Sequence, residues 1–289
     1  LHPMFDNVLV PTDGSDCAQA AVGYAVDIAR RYDARVHALC VADSRILENA
    51  PHHDQVEEER AAIAQRTCQE LSLRGVDVER AVRTGIPHEA ILRYARAHDI
   101  DLVVMGTQGR TGVERYLLGS VTEKVLRLSD VPVLTVRGAA DRDGKELFSD
   151  LLVPTDGSEG ALAAVDPALS LAGAYDATLH TLSVADVTAL GPDVRADSIV
   201  DEFVDAARAA VDAVETSARE AGVATVVTAV EVGHPYAEIK SYVDANDVDL
   251  VVISTHGRSG LTRYLLGSVT EKLVRTSPVP VMTVRMPET

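Results

Sequence analysis

Two glycine-rich segments carry the pattern most capable of chemistry. The first is Gly106-x2-Gly109-x9-Gly119-Ser120, placed directly after the apolar run Leu102–Met105. Glycines after a strand let the backbone approach a ligand closely and permit positive φ. Successive N–H groups in such a loop form an anion nest. Gly119-Ser120 opens a helical stretch, whose N-terminus adds donors and a favourable dipole. The product is a phosphate cradle that needs little side-chain charge, with Arg110 as a candidate charge-assisted contact. The second segment keeps Gly257, Gly267 and Ser268 but has Ser254 in place of Gly106. A serine there serves if the loop has negative φ, and narrows or strains the site if glycine's freedom is needed. The Walker A ending Gly-Lys-Ser/Thr and the dinucleotide Gly-x-Gly-x-x-Gly pattern are both absent.

A second block supplies a carboxylate. Val10-Pro11-Thr12-Asp13-Gly14-Ser15 returns as Val153-Pro154-Thr155-Asp156-Gly157-Ser158, an offset of 143 (156 − 13). The glycine segments are offset by 148 (257 − 109), so the second copy is longer by 5 residues between the blocks. A period this long is one duplicated domain rather than a solenoid. The expected domains span 4–138 and 148–287, joined by the polar, glycine-bearing segment 138–144.

These residues need elements to position them. In the first copy, Val8–Val10 reads as a buried strand, followed by a helix capped by Ser15 and reaching about Tyr32. Strands follow at 34–41, 76–82, 101–105 and 132–136. Helices are expected at about 55–73, from Pro87 to about 98, and from Ser120. The second copy repeats the order, with its long helix over about 197–221. Such alternation means a parallel sheet with helices on both faces, an α/β fold in two tandem doubly wound domains. Ligands then bind beyond the carboxyl ends of the strands, where both repeated blocks fall.

Composition bounds the function. The chain of 289 residues is 46% hydrophobic and 4% aromatic, an aliphatic core. No apolar run approaches the roughly 20 residues of a membrane span, and no signal peptide is expected. Cys17, Cys40 and Cys68 all lie in the first copy, a pattern that suits a reducing cytoplasm and fits neither a disulfide framework nor a zinc site. A net charge of −17, from 44 acidic against 27 basic residues, opposes nonspecific nucleic-acid binding. It fits either adaptation to high salt or the codon bias of a GC-rich genome.

Purely structural readings compete at several positions. Ser120-Val-Thr-Glu123 and Ser268-Val-Thr-Glu271 match capping boxes. Asp13 and Asp156 fit turns or helix caps. Arg115–Leu118, repeated at 263–266, suits packing or an interface, and His256 a loop hydrogen bond. The run Glu57–Arg60 reads as a solvated helix face.

At these residues the chain resembles the universal stress protein family in its tandem form. Gly-x2-Gly-x9-Gly-Ser at 106–120 and Val-Pro-Thr-Asp-Gly-Ser in both copies carry the likeness, which spans almost the whole chain. The resemblance implies five-stranded sheets of order 3-2-1-4-5 that bind ATP, with Mg2+ arriving on the nucleotide. Asp13 would hold the ribose and Val41 would line the adenine pocket. Met105 and Gly106 would lie by the base or sugar, and Gly109, Gly119, Ser120 and Val121 by the phosphates. Pro11, Thr12, Arg110, Gly112 and Thr122 complete the first candidate set. The second set is Pro154, Thr155, Asp156, Val184, Ile253, Gly257, Arg258, Gly260, Gly267, Ser268, Val269 and Thr270. No catalytic or metal-ligating residue is singled out, since the copies share no histidine in either block. An ATP-binding switch in a stress response is therefore expected. An interaction scaffold with a vestigial site and a slow ATP hydrolase are the alternatives. The resemblance also implies an intrachain pseudo-dimer through Val131–Val136 and Val279–Val284, and two chains could associate further.

Overall fold

The computed structural model describes residues 4–47, 53–109, 118–138, 146–187, 197–256 and 266–286. The chain divides into two compact units, Leu1–Asp143 and Gly144–Thr289. Of the expected linker, residues 139–144 lie outside the described residues.

The first unit runs β1 (Asn7–Pro11), α1 (Asp16–Tyr32), β2 (Arg35–Asp43), α2 (Ser44–Leu47), α3 (His53–Leu73) and β3 (Val78–Gly85). It continues with α4 (Pro87–Ala97), β4 (Leu102–Gly106), α5 (Ser120–Leu128) and β5 (Val133–Val136). Its strands pair in parallel in the order β3-β2-β1-β4-β5. The second unit runs β6 (Asp150–Pro154), α6 (Glu159–Leu162), α7 (Val165–Tyr175), β7 (Thr178–Ala185), α8 (Asp197–Glu220) and β8 (Val226–Val232). It ends with α9 (Pro235–Ala245), β9 (Leu250–Ser254), α10 (Ser268–Thr276) and β10 (Val281–Val284), and its order is β8-β7-β6-β9-β10. Both sheets therefore have the expected order 3-2-1-4-5. The chain reverses its direction of winding between the first and fourth strands of each sheet, which opens a crevice at their carboxyl ends.

The inner strands are apolar because both faces are covered. Val8, Leu9, Val10, Leu102, Val103 and Val104 are fully buried, as are Leu151, Leu152, Val153, Leu250, Val251 and Val252. On α1, Ala21, Ala25 and Ile28 turn inward at helical spacing. The second copy departs here: the helix after the first strand is broken into α6 and α7. Pro167 explains the break, since it has no N–H to donate to Ala163 and its ring clashes with that carbonyl.

A buried polar group recurs away from the site, on the second strand of each unit. His37 Nδ1 lies 3.0 Å from the Tyr94 hydroxyl and Nε2 lies 3.3 Å from Asn7 Oδ1. In the second unit His180 meets the Tyr242 hydroxyl at 3.0 Å and Asp150 Oδ1 at 3.2 Å. The duplicated histidine thus faces an amide in one copy and a carboxylate in the other.

Candidate functional site

The turn after the first strand is built alike in both copies. Thr12 Oγ1 accepts from Gly14 N–H at 3.2 Å, and Asp13 Oδ1 accepts from Ser15 N–H at 3.0 Å. Gly14 has φ +79°, the left-handed region that glycine enters without penalty. Ser15 then caps α1 by accepting from Ala18 N–H. Thr155, Asp156, Gly157 (φ +76°) and Ser158 repeat these bonds, with Ser158 capping α6. Both aspartates therefore do form turns, while the serines do the capping. In the first copy the turn also meets the glycine loop: a Cβ on Gly109 would lie 2.7 Å from Asp13 Oδ2.

The sequence suggests two reasons for these glycines, close approach to a ligand and positive φ; the described ones do not adopt positive φ and instead lie close to protein atoms. Among the described glycines, positive φ falls at Gly14, Gly75, Gly85, Gly157 and Gly222, and not at Gly106, Gly109, Gly119 or Gly267. Gly119 N–H donates to the Thr107 carbonyl at 2.8 Å, and an added Cβ would sit 3.2 Å from that oxygen. Gly267 repeats the bond to Thr255 at 2.8 Å, with the Cβ at 3.1 Å.

Gly106 is the tightest case. A Cβ there would lie 2.7 Å from both the backbone carbon and the Cβ of Cys17 on α1. The second copy solves the same contact the other way round. Cys17 corresponds to Gly160 at the offset of 143, and a Cβ on Gly160 would lie 2.7 Å from the His256 carbonyl. Small and large have changed sides, so Ser254 fits, and its hydroxyl donates to the His256 carbonyl at 2.6 Å. Ser254 is not among the residues with positive φ, so the condition under which a serine serves at this position is met. His256 itself bonds locally, Nδ1 to Thr255 Oγ1 at 3.0 Å.

The capping boxes do not form. Helix α5 begins at Ser120 with Gly119 as its cap, and α10 begins at Ser268 with Gly267, neither with a side-chain cap bond. Instead Thr122 Oγ1 donates to the Gly106 carbonyl at 2.9 Å, and Thr270 Oγ1 to the Ser254 carbonyl at 2.8 Å. These bonds fasten the first turn of each helix to the end of the fourth strand. The N–H groups of that first turn have no partner within the helix, the usual basis of an anion site.

In the second unit these pieces enclose a cavity of about 340 Å3, within the roughly 300–1,000 Å3 of small-molecule sites. Every described member of the second candidate set lines it: Pro154, Thr155, Asp156, Val184, Ile253, Gly267, Ser268, Val269 and Thr270. Gly257, Arg258 and Gly260 lie outside the described residues, as do Arg110 and Gly112 of the first set. In the first unit Pro11, Thr12, Met105, Gly106 and Thr122 are buried, Asp13, Val41, Gly119 and Val121 are half-buried, and Gly109 and Ser120 are exposed. Arg115–Leu117 and 263–265 also fall outside the described residues.

Sequence reasoning missed the walls supplied by the long helix and by the helix before the fourth strand. Phe203 and Ala207 of α8 and Pro235 and Ile239 of α9 line the cavity, as does Asp186 just past β7. The sequence indicates the span of this helix without telling which part of it overhangs the strand ends.

The same region of the first copy is occupied by an arginine. Glu58 and Glu59 of α3 are exposed as expected, but Arg60 is half-buried, and its Nη1 lies 3.5 Å from the Asp13 carbonyl. Asp43, at the end of β2, is held below its usual pKa, first by its bonds from Arg45 at 2.6 and 2.9 Å, with a smaller contribution from Arg60. Cys68 on α3 is buried, and burial raises its thiol pKa. Among the described residues no group of acidic, histidine or cysteine side chains is arranged to hold a metal ion.

Comparison with known proteins agrees with this architecture. The sequence model of the Universal stress protein family matches twice, at residues 4–137 and 148–285. Universal stress protein MJ0531 of Methanocaldococcus jannaschii is 33% identical over 141 residues, covering 46% of this chain and 83% of that protein. Universal stress protein YxiE of Bacillus subtilis is 31% identical over 148 residues, 46% of this chain and 100% of that protein. A crystal structure of a universal stress protein from Archaeoglobus fulgidus shares the fold over 97% of this chain and 98% of its own, with a TM-score of 0.74 at 24% identity. With the family pattern present twice and the duplicated fold beneath it, this chain belongs to the universal stress protein family, in tandem form.

Proposed function

We propose that this chain is a cytoplasmic universal stress protein that binds an adenine nucleotide, ATP carried with Mg2+, as a regulatory switch. One observation carries the reading: all nine described candidates of the second copy, chosen from sequence, line one cavity of ligand size. In it, Asp156 offers a carboxylate to a ribose diol, Val184 and Ile253 offer apolar surface to a base, and the start of α10 offers N–H groups to phosphate. The fit of Ser254, which has no positive φ and donates to the His256 carbonyl, supports a working second site over a vestigial one. Catalysis is not part of the proposal, because Asp13 and Asp156, the acids that both copies repeat beside the loop, are assigned to the ribose in this reading.

Isothermal titration of the full chain with ATP and Mg2+ tests it. Saturable binding is expected, weakened about ten-fold or more by Asp156→Ala at the second site. An absence of heat with ATP, AMP and adenosine alike would refute nucleotide binding.

A further inference from the structure

Phenylalanine is scarce in this chain, with 3 among 289 residues, and there is no tryptophan. Two of the three form a matched pair. Phe5 and Phe148 stand 143 apart (148 − 5), the offset of the first repeated block. Both are fully buried, and each meets a tyrosine ring edge-on with 5.1 Å between centroids, Tyr32 in the first copy and Tyr175 in the second. Their work is to hold the core of each unit.

Phe203 stands apart from that pair. It lies on α8, is half-buried, and lines the second cavity. Among the described residues no other aromatic ring packs against it. The helix that carries it packs on β7 and β8. Ala207, Ala210, Val211, Val214 and Ala218 are buried along one stripe of α8, and Phe203 begins that stripe at helical spacing. At Phe203 and Ala207 the stripe reaches the cavity, which the end of β7 also lines with Val184 and Ala185. The ring therefore sits where the helix passes the carboxyl end of the strand.

The first copy has a different residue at this place. The two long helices end alike, at Gly75 with φ +75° and at Gly222 with φ +81°, and Val76 N–H bonds to Leu71 as Val223 N–H does to Ala218. Counted from those glycines, Phe203 and Val56 both stand 19 residues earlier (222 − 203 and 75 − 56). The aromatic ring belongs to one copy only. Val184, Ile239 and Ile253 give the cavity aliphatic surface, which supplies burial without a π face. A phenyl ring adds a flat surface on which a base can stack, and the two fused rings of a purine overlap it more than a pyrimidine does.

We propose that Phe203 is a specificity-determining residue of the second copy, whose ring stacks on the base of the bound nucleotide and selects a purine over a pyrimidine. This rests on the nucleotide reading above and names the part of the ligand that the second cavity reads.

The test uses the absence of tryptophan: Phe203→Trp gives the full chain a single indole, at the cavity. ATP and adenosine should each quench its emission in a saturable way, and UTP should need about ten-fold more ligand. Titration calorimetry of wild type, Phe203→Leu and Phe203→Tyr accompanies it. Phe203→Leu should weaken ATP about ten-fold at one site and narrow the ATP-to-UTP ratio there, while the other site stays within about two-fold. Phe203→Tyr, which keeps the ring, should stay within about two-fold of wild type at both. Wild type that binds neither ATP nor UTP would refute the nucleotide reading itself. ATP binding to Phe203→Trp by calorimetry with unchanged emission would overturn the stacking alone. So would Phe203→Leu that binds as wild type does, since burial would then suffice. Equal weakening of ATP and UTP in both Phe203→Leu and Phe203→Tyr would also overturn it, by showing that the residue shapes the wall rather than reading the base.

Discussion

Set side by side, the two copies place a side chain on opposite walls of one contact. The first copy has Cys17 on the helix and Gly106 at the strand end; the second has Gly160 on the helix and Ser254 at the strand end. A Cβ on Gly106 would lie 2.7 Å from Cys17, and one on Gly160 would lie 2.7 Å from the His256 carbonyl, two residues past Ser254. A substitution that looks like the loss of a binding glycine is half of a paired exchange. What must be preserved at this point is the summed volume across the contact, because packed interiors leave little room for an extra atom.

The largest predicted effect follows from separating such a pair. Gly106→Ser, with Cys17 unchanged, should destabilise the first copy by about 2–3 kcal/mol. Calorimetry should place the transition of that unit about 4–8 °C lower. Adding Cys17→Gly should recover part of the loss, although a glycine within α1 itself costs about 1 kcal/mol. Equal stability of Gly106→Ser and wild type would break the compensation account.

Next in size is the duplicated carboxylate. Asp13→Ala should weaken nucleotide binding at the first site about ten-fold and Asp156→Ala should do so at the second, each sparing the other copy. Both variants also lose a turn bond to the following serine, Ser15 or Ser158, so thermal melts must accompany the titrations. Loss of both sites from one substitution would contradict the independence assumed for the copies.

Smaller still is the expected stability cost of Ser120→Ala, below about 0.5 kcal/mol, because Gly119 and not Ser120 occupies the cap. A true N-cap serine would cost about 1 kcal/mol. Urea titration distinguishes the two values, and the larger one would restore the capping box.

The subtlest contrast lies on the second strand of each unit. Burial lowers the pKa of His37, against the opposing pull of Glu79 3.9 Å away and with small further contributions from His98, Arg35 and Asp77. A folded pKa below the unfolded value gives stability that is complete above the unfolded pKa of about 6.5 and is lost as pH falls through the folded one. Asn7→Asp would give His37 a carboxylate as His180 has in Asp150, favour its charged form and reduce that loss. Urea melts between neutral and mildly acidic pH should show the smaller drop in the variant. An identical drop would remove His37 from the account.

Much of this was legible in the sequence because the informative signals were local and appeared twice. Apolar runs ending in Pro11 and Pro154 marked the first strands, and the Thr-Asp-Gly-Ser turns followed in both. The glycine segments follow the strand ends as expected, but the positive φ expected beside close ligand approach is not adopted, and Gly106 and Gly109 instead meet residues distant in sequence. Cys17 is 89 positions from Gly106 (106 − 17), and no local pattern links them. Arg60 was hidden for the same reason: among Glu57, Glu58 and Glu59 it looks like one more solvated charge, and the register of α3 over the Asp13 turn decides otherwise. The capping box failed because the glycine bonded to Thr107 takes the cap position one residue earlier than the serine. The helix break before α7 runs against the expectation that the second copy repeats the first, although Pro167 marks it.

The most direct test is a crystal structure of the full chain grown with saturating ATP and Mg2+. The account predicts density for an adenine nucleoside in the second cavity, its base between Val184 and Ile253, its ribose at Asp156, and any phosphate toward Ser268. An empty cavity under those conditions, or a ligand bound elsewhere with Asp156 and Ser268 untouched, would contradict it.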